Sequence, residues 1–244
     1  MKPILSAFLF YCDIICLVCY WGIKMDKYML IKLISLCVFL IILVYAPVWL
    51  TWVFIIYLLL RLMVFIVPTK GKDISLIGKQ SALLVLDLQK CNSQNKNALI
   101  KKVNKEIKLA KELDYNIVYI KNVFEYYDIL FSLFTMGGGF LKGQVGSDFT
   151  DNLNIKSNNI FIKHNQDAFS NKELSSFLSG NDIGDIYIVG QDARACVLKT
   201  AIGAKNRGYN VKIIKNAIDP NYDNIINKIK SKNIEVINSL KGDG

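Results

Sequence analysis

Ala82-Leu83-Leu84-Val85-Leu86-Asp87 is five apolar residues in a row, closed by a carboxylate. A run without alternation marks a strand covered on both faces, the kind found inside a parallel sheet. The sequence that follows supplies the cover. Between Lys96 and Leu113, Leu99, Val103, Ile107, Ala110 and Leu113 recur every three or four residues among lysines and glutamates, which predicts an amphipathic helix. Strand-like segments at 116–120, 159–163, 185–190, 210–215 and 234–237 then alternate with helical ones at 171–178, 195–207 and 222–230. Gly208 follows the helix that ends at Arg207, as a natural C′ residue. Such alternation implies a Rossmann-like three-layer α/β/α domain: a mainly parallel sheet, helices on both faces and right-handed crossovers. Ligands of such sheets bind beyond the carboxyl ends of the strands.

Upstream the chain changes character. Of its 244 residues 52% are hydrophobic and 20% charged, which excludes a disordered chain, and four prolines exclude a collagen-like one. Six cysteines, clustered towards the start, do not form the pattern of a disulfide scaffold. Within residues 1–67 the charged residues are Lys2, Asp13, Lys24, Asp26, Lys27, Lys32 and Arg61; most of the net charge of +10 belongs to the remainder. The sequence therefore divides into an apolar region at 1–67, a polar glycine-containing linker at 68–79 and a soluble-type domain at 80–244.

Pro3–Ile23 carries one charge and matches the ~20 residues of a membrane-crossing helix. Met29–Val67 would run ~58 Å as one straight helix, about twice the ~30 Å hydrocarbon core. Pro47 near its middle leaves two readings, one kinked span or a tight hairpin. The hairpin suits the length better, giving spans at about 3–23, 30–46 and 48–67. A cleaved signal peptide does not fit, because no small-residue cleavage site follows the first apolar run. With three spans, Lys24, Lys27 and Lys32 share the cytoplasmic side with Lys70, Lys72 and Lys79. The expected protein is multi-pass, in contact with membrane lipid, with its soluble domain in the cytoplasm. Asp13 and Arg61 would lie at similar depth, either paired or separately relieved, Asp13 by protonation and Arg61 by snorkelling. Cys12, Cys16, Cys19 and Cys37 lie in apolar stretches as small hydrophobes.

Three polar residues fall at carboxyl ends of strands: Asp87 on the first, Lys163 on the third and Cys196 just past the fourth. A carboxylate, an ammonium and a thiol at a helix start, on one sheet edge, suit an activated cysteine nucleophile. On that reading Cys196 reacts far faster than Cys91 near neutral pH. The interval 122–158 breaks the rhythm, with Phe124, Phe131 and other aromatics before Gly137-Gly138-Gly139. It either roofs the site or tucks its own aromatics away.

The flanks of these residues carry a resemblance. Ala82-Leu83-Leu84-Val85-Leu86-Asp87-Leu88-Gln89, Gly143-Gln144-Val145-Gly146-Ser147-Asp148-Phe149 and Lys163-His164-Asn165-Gln166-Asp167-Ala168-Phe169 stand in the right order. The most specific block is Val189-Gly190-Gln191-Asp192-Ala193-Arg194-Ala195-Cys196-Val197. Residues 80–237 resemble the isochorismatase-like hydrolases, which include nicotinamidases, N-carbamoylsarcosine amidases and ureidoacrylate amidases. The resemblance implies an Asp87–Lys163–Cys196 triad and a cis peptide at Gln191–Asp192. It also implies an oxyanion hole from the backbone N–H groups of Asp192 and Cys196. Phe124, Phe131 and Phe169 are the aromatic candidates for contact with a small-molecule substrate.

Departures narrow the expectation. Where the nicotinamidase branch has a metal-binding Asp-x-His pair, this chain reads Asn122-Val123-Phe124, and its one histidine is His164. No metal and no cofactor are expected. The isochorismate-cleaving branch typically lacks the cysteine, so Cys196 points to C–N bond chemistry, with a silent binding or scaffolding module as the alternative. The scattered lysines read as a solvated face, not a nucleic-acid site, and a homo-oligomer through the hydrolase domain is compatible with the sequence.

Overall fold

The computed structural model describes residues 27–45, 47–71, 78–93 and 95–241. The apolar stretch 3–23, with Asp13, lies outside the described residues, as does Lys72.

The helices are α1 (Lys27–Tyr45), α2 (Val48–Ile66), α3 (Asn97–Glu112), α4 (Ile129–Met136), α5 (Lys172–Gly180), α6 (Leu198–Lys205) and α7 (Asp223–Lys230). The strands are β1 (Gln80–Leu86), β2 (Asn116–Asn122), β3 (Ile160–Lys163), β4 (Ile183–Gln191), β5 (Asn210–Asp219) and β6 (Glu235–Ile237). They form one sheet in the order β3-β2-β1-β4-β5-β6, every pairing parallel. β1 lies in the middle, and all five apolar residues from Ala82 to Leu86 are fully buried, as their unbroken run predicts. On one face, Leu99, Val103, Ile107 and Ala110 of α3 pack over Leu83 and Val85. On the other, Leu174, Ala201 and Ile229 of α5, α6 and α7 belong to one core cluster with Leu84 and Leu86.

The chain winds outward from β1 to β3 and then returns to β4 on the other flank of β1. That reversal opens a crevice between the carboxyl ends of β1 and β4, where such sheets hold their ligands. Two backbone details shape it. Gly190 has φ of 113°, and a side chain there would strike the carbonyl oxygen of Leu86, so β4 approaches β1 this closely only with glycine. Asp87 itself has φ of 53°, a left-handed conformation that costs an ordinary residue free energy and is typical of functional sites.

The 29–67 stretch resolves as a hairpin. Helix α1 stops at Tyr45, and Pro47 is extended (φ −53°, ψ 136°) before α2 begins. The rings of Phe39 and Phe54, placed almost evenly about Pro47, meet at 5.1 Å, which makes the two helices antiparallel. Both rings also rest on Phe134 of α4, at 5.4 and 5.6 Å. At the base, the Tyr28 ring fills the space a side chain would need at Gly139, 2.8 Å from its would-be Cβ. This is one reason the 137–139 run is glycine.

Arg61 departs from the expectation of a charge within a span. Its guanidinium forks onto Asp128, with Nε and Nη2 each 2.8 Å from a carboxylate oxygen. It also donates to Asn165 Oδ1 and to the His164 carbonyl, both at 3.0 Å, and lies over the Phe131 ring. The ion pair is almost buried, with 14% and 4% of the two side chains exposed. The linker at 68–79 does not hang free at its start either. Thr69 donates through N–H and hydroxyl to Asp167, at 2.8 and 2.6 Å, and Arg207 holds its oxygens.

Candidate active site

Asp87, Lys163 and Cys196 come together in the crevice. Lys163 ends β3, two strands away from β1, a lateral distance of ~10 Å. Only a long side chain bridges that gap, and Lys163 Nζ reaches Asp87 Oδ2 at 2.8 Å with both side chains out of solvent. Nζ also donates to the Gln166 carbonyl at 3.0 Å, which fixes the ammonium from the side of the loop after β3. The Cys196 sulfur lines the same cavity as Asp87, close enough for both the carboxylate and the Lys163 ammonium to act on its ionisation.

Cys196 does not open a regular helix as the periodicity suggests. It sits in a single π turn, Ala193–Val197, that leads into α6. The turn is capped by Asp192, whose carboxylate accepts from the Arg194 N–H at 2.8 Å and pairs with its guanidinium at 2.7 Å. The peptide Gln191–Asp192 is cis, at the position the resemblance implies. The Asp192 side chain is tied to Arg194.

A lysine and a helix start beside a thiol favour the thiolate, and the structure adds burial and a carboxylate acting against them. Burial is the largest influence on the Cys196 thiol and the Asp87 carboxylate adds to it, pushing it up to about 12, while Lys163 acts the other way. Burial works against the Lys163 ammonium, but Asp87 and the Cys196 sulfur outweigh it and hold the amine charged beyond its ordinary range. At rest the thiol is therefore held towards its neutral form by burial and by Asp87, against the pull of the Lys163 ammonium.

Asp87 and Cys196 line a cavity of about 220 Å³, to which Lys163 is joined through its pair with Asp87. Its polar lining includes Asp192, Asn92, Asn122 and Gln191. Phe65, Met136 and Phe140 line the apolar side. Gln191 is held by donating to the Asp87 carbonyl and Ser93 Oγ, and its Oε1 accepts from Lys96 Nζ at 2.6 Å. Asn122 is 3% exposed, and its Oδ1 has no hydrogen-bond partner. Its backbone is pinned by Gln89, whose side chain bonds both the N–H and the carbonyl of Asn122. A larger cavity, about 500 Å³, lies among α1, α2 and α4. Its lining is apolar apart from Ser35 and Thr51, so it offers no comparable chemistry.

None of the three phenylalanines expected near a substrate lines the smaller cavity. Phe124 and Phe131 are buried in a cluster with Phe65 and Phe140, and Phe169 stacks on Tyr209 within the main core. The residues in their place, Phe65 and Met136, were missed. So was Asn122, although it ends β2 on the edge that singles out Asp87 and Lys163. A metal does not fit the donors at this edge. Among the described residues no three His, Cys, Asp or Glu side chains are grouped to hold an ion, with Asn122 in the acidic position and Asp87 paired to Lys163.

No curated protein sequence matches this chain. Among solved structures it is similar to the pyrazinamidase of Pyrococcus horikoshii in complex with zinc, at 23% identity over 65% of this chain and 98% of that one, with a TM-score of 0.55. The N-carbamoylsarcosine amidase from Thermoplasma acidophilum gives 23% identity over 68% and 99%, with a TM-score of 0.56. A nicotinamidase from Bacillus subtilis gives 17% identity over 64% and 98%, with a TM-score of 0.56. These likenesses concern the fold. The sequence pattern of the Isochorismatase domain, however, runs through residues 81–237, from the buried strand that leads to Asp87 to the last strand of the sheet, and the chain belongs to that family.

Proposed function

We propose that this protein is a cysteine hydrolase that cleaves an amide or carbamoyl C–N bond of a small molecule through a thioester on Cys196. The observation that carries this reading is a thiol and a buried carboxylate lining one cavity, with a buried ammonium paired to that carboxylate at 2.8 Å. Asp87 takes the thiol proton as the sulfur attacks the carbonyl carbon, so no free thiolate need accumulate. Lys163 balances the negative charge that the carboxylate and sulfur share. The N–H groups of Asp192 and Cys196 receive the oxyanion. As the C–N bond breaks, protonated Asp87 gives its proton to the leaving amine. Water then attacks the thioester, Asp87 again accepts a proton, and that proton returns to the departing sulfur.

The test is a panel of small amides, carbamoyl compounds and isochorismate, with mass spectrometry of the Cys196 peptide after rapid quenching. Amine or ammonia release with an acyl adduct on that peptide is the expected result. Cleavage of isochorismate alone, with no adduct, would overturn the reading.

We further propose that the hairpin holds the domain on a membrane by entering one leaflet. Among the described residues, one helix, Val48–Ile66, is long and apolar enough to cross a membrane. Its far end is occupied, because Arg61 is bound to Asp128 and Phe65 is packed inside the domain. Val48 to Leu60 leaves 13 residues, ~20 Å, against a core of ~30 Å. Val48, Trp49, Trp52 and Val53 near the tip are exposed and apolar, which suits shallow insertion. A cysteine at Val48, in sealed vesicles bearing the domain on one side, should resist impermeant maleimide from both sides. Labelling from the side opposite the domain would mean that the hairpin crosses, and the wedge would be wrong.

A further inference from the structure

The residues at the end of α2 meet the loop after Lys163 in register. Arg61 binds His164 and Asn165, the Phe65 carbonyl accepts from the Gln166 N–H at 2.9 Å, and Thr69 binds Asp167. Three residues at four-residue spacing thus follow four consecutive residues of the hydrolase domain. The clamped loop is the one whose Gln166 carbonyl accepts from Lys163 Nζ. Phe65 is 3% exposed, touches the rings of Phe124 and Phe131 at 5.7 and 5.4 Å, and lines the cavity that holds Asp87 and Cys196. It lies outside residues 81–237, so the shared family sequence does not supply this side of the cavity.

We infer that Phe65 is a specificity-determining residue, by which the apolar hairpin becomes a wall of the active site and not merely its tether. The inference rests on the cysteine-hydrolase reading for the reaction, but the wall itself is a matter of space. An aromatic ring that lines this cavity together with Met136 and Phe140 limits the bulk that can accompany a carbonyl to the Cys196 sulfur. In a cavity of about 220 Å³ this favours small substrates with a compact apolar group beside the scissile bond.

The test uses the full chain and the thiol itself. Cys196 is alkylated at pH 9 with iodoacetamide and with N-benzyl iodoacetamide, and the two rates are followed on the Cys196 peptide. Phe65→Ala should raise the benzyl-to-parent rate ratio by about tenfold or more, as expected when one apolar wall is removed. Phe65→Trp should lower it. Phe65→Leu, which keeps an apolar contact with Phe124 and Phe131, should lie between wild type and alanine and guards against loss of the fold. Val64→Ala, at a position 59% exposed, should leave the ratio unchanged. An equal ratio in wild type, Phe65→Leu and Phe65→Trp would overturn the wall. Because the ratio compares two reagents on one thiol, it is independent of the fraction ionised and is readable whether or not Cys196 is the nucleophile. Retained hydrolysis in Cys196→Ala alongside a shifted ratio would refute the chemistry and leave the wall standing.

Discussion

Cys196→Ala is expected to remove hydrolysis almost entirely, with a fall in kcat of about 10⁶-fold, the scale found when a covalent nucleophile is deleted. The fold should survive, since the change trims one sulfur that borders a cavity and leaves the turn Ala193–Val197 intact. Cys91→Ala is the comparison. Cys91 packs beside the aromatic cluster of Phe65, Phe124 and Phe131 and does not line the cavity, so its replacement should change kcat by less than about twofold. Steady-state rates on any substrate found in the panel, with circular dichroism of each variant, decide the matter. Full activity in Cys196→Ala would end the nucleophile reading.

The parts of this protein legible in its sequence are those where one physical demand leaves one pattern. A strand buried on both faces must be apolar throughout, and Ala82–Leu86 could hardly be anything else. The carboxyl-edge rule then singles out Asp87, Lys163 and Cys196 before any distance is known. What resists reading is what an apolar surface faces. Helix α2 has the composition of a membrane span, yet its last turn lies against protein, and lipid and protein select the same side chains. The signal available is the break in the pattern. Arg61 is the single charge in that helix, and Arg61, Phe65 and Thr69 fall at four-residue spacing. The aromatics fail for a related reason, since composition does not separate a ring that lines a cavity from one buried beneath it. Phe140 does the first and Phe124 the second. The thiol shows the same limit in electrostatic form. A nearby lysine and a helix start are visible in sequence, whereas the burial that outweighs them is not.

Asp87→Asn should move turnover and thiol ionisation in opposite directions. Asp87 is asked to accept a proton and to return it, so its loss should lower kcat by about 10²–10⁴-fold, the range of general acid–base catalysis. Yet the same carboxylate is one of the two causes that raise the Cys196 pKa, and Lys163 is the group that lowers it. With the carboxylate neutralised, the buried ammonium loses its counter-ion at 2.8 Å, and the nearest group able to replace it is the sulfur. The thiol should then ionise at lower pH, and because the thiolate is the reactive form, alkylation at pH 7 should quicken by about tenfold or more. Lys163→Met reverses the sign: the group that favours the thiolate is gone, Asp87 remains, and alkylation should slow. The two variants also differ in stability. Breaking a buried ion pair from one side costs about 3–5 kcal/mol when the remaining charge has no substitute partner. Asp87 is left in that position by Lys163→Met, whereas in Asp87→Asn the thiolate can take up the partnership, so the lysine variant should melt at the lower temperature. Alkylation rates from pH 6 to pH 10, with a thermal melt of each variant, measure both effects. If Asp87→Asn alkylates more slowly than wild type at pH 7, the carboxylate is not what keeps the thiol protonated, and the proton route through Asp87 loses its electrostatic basis.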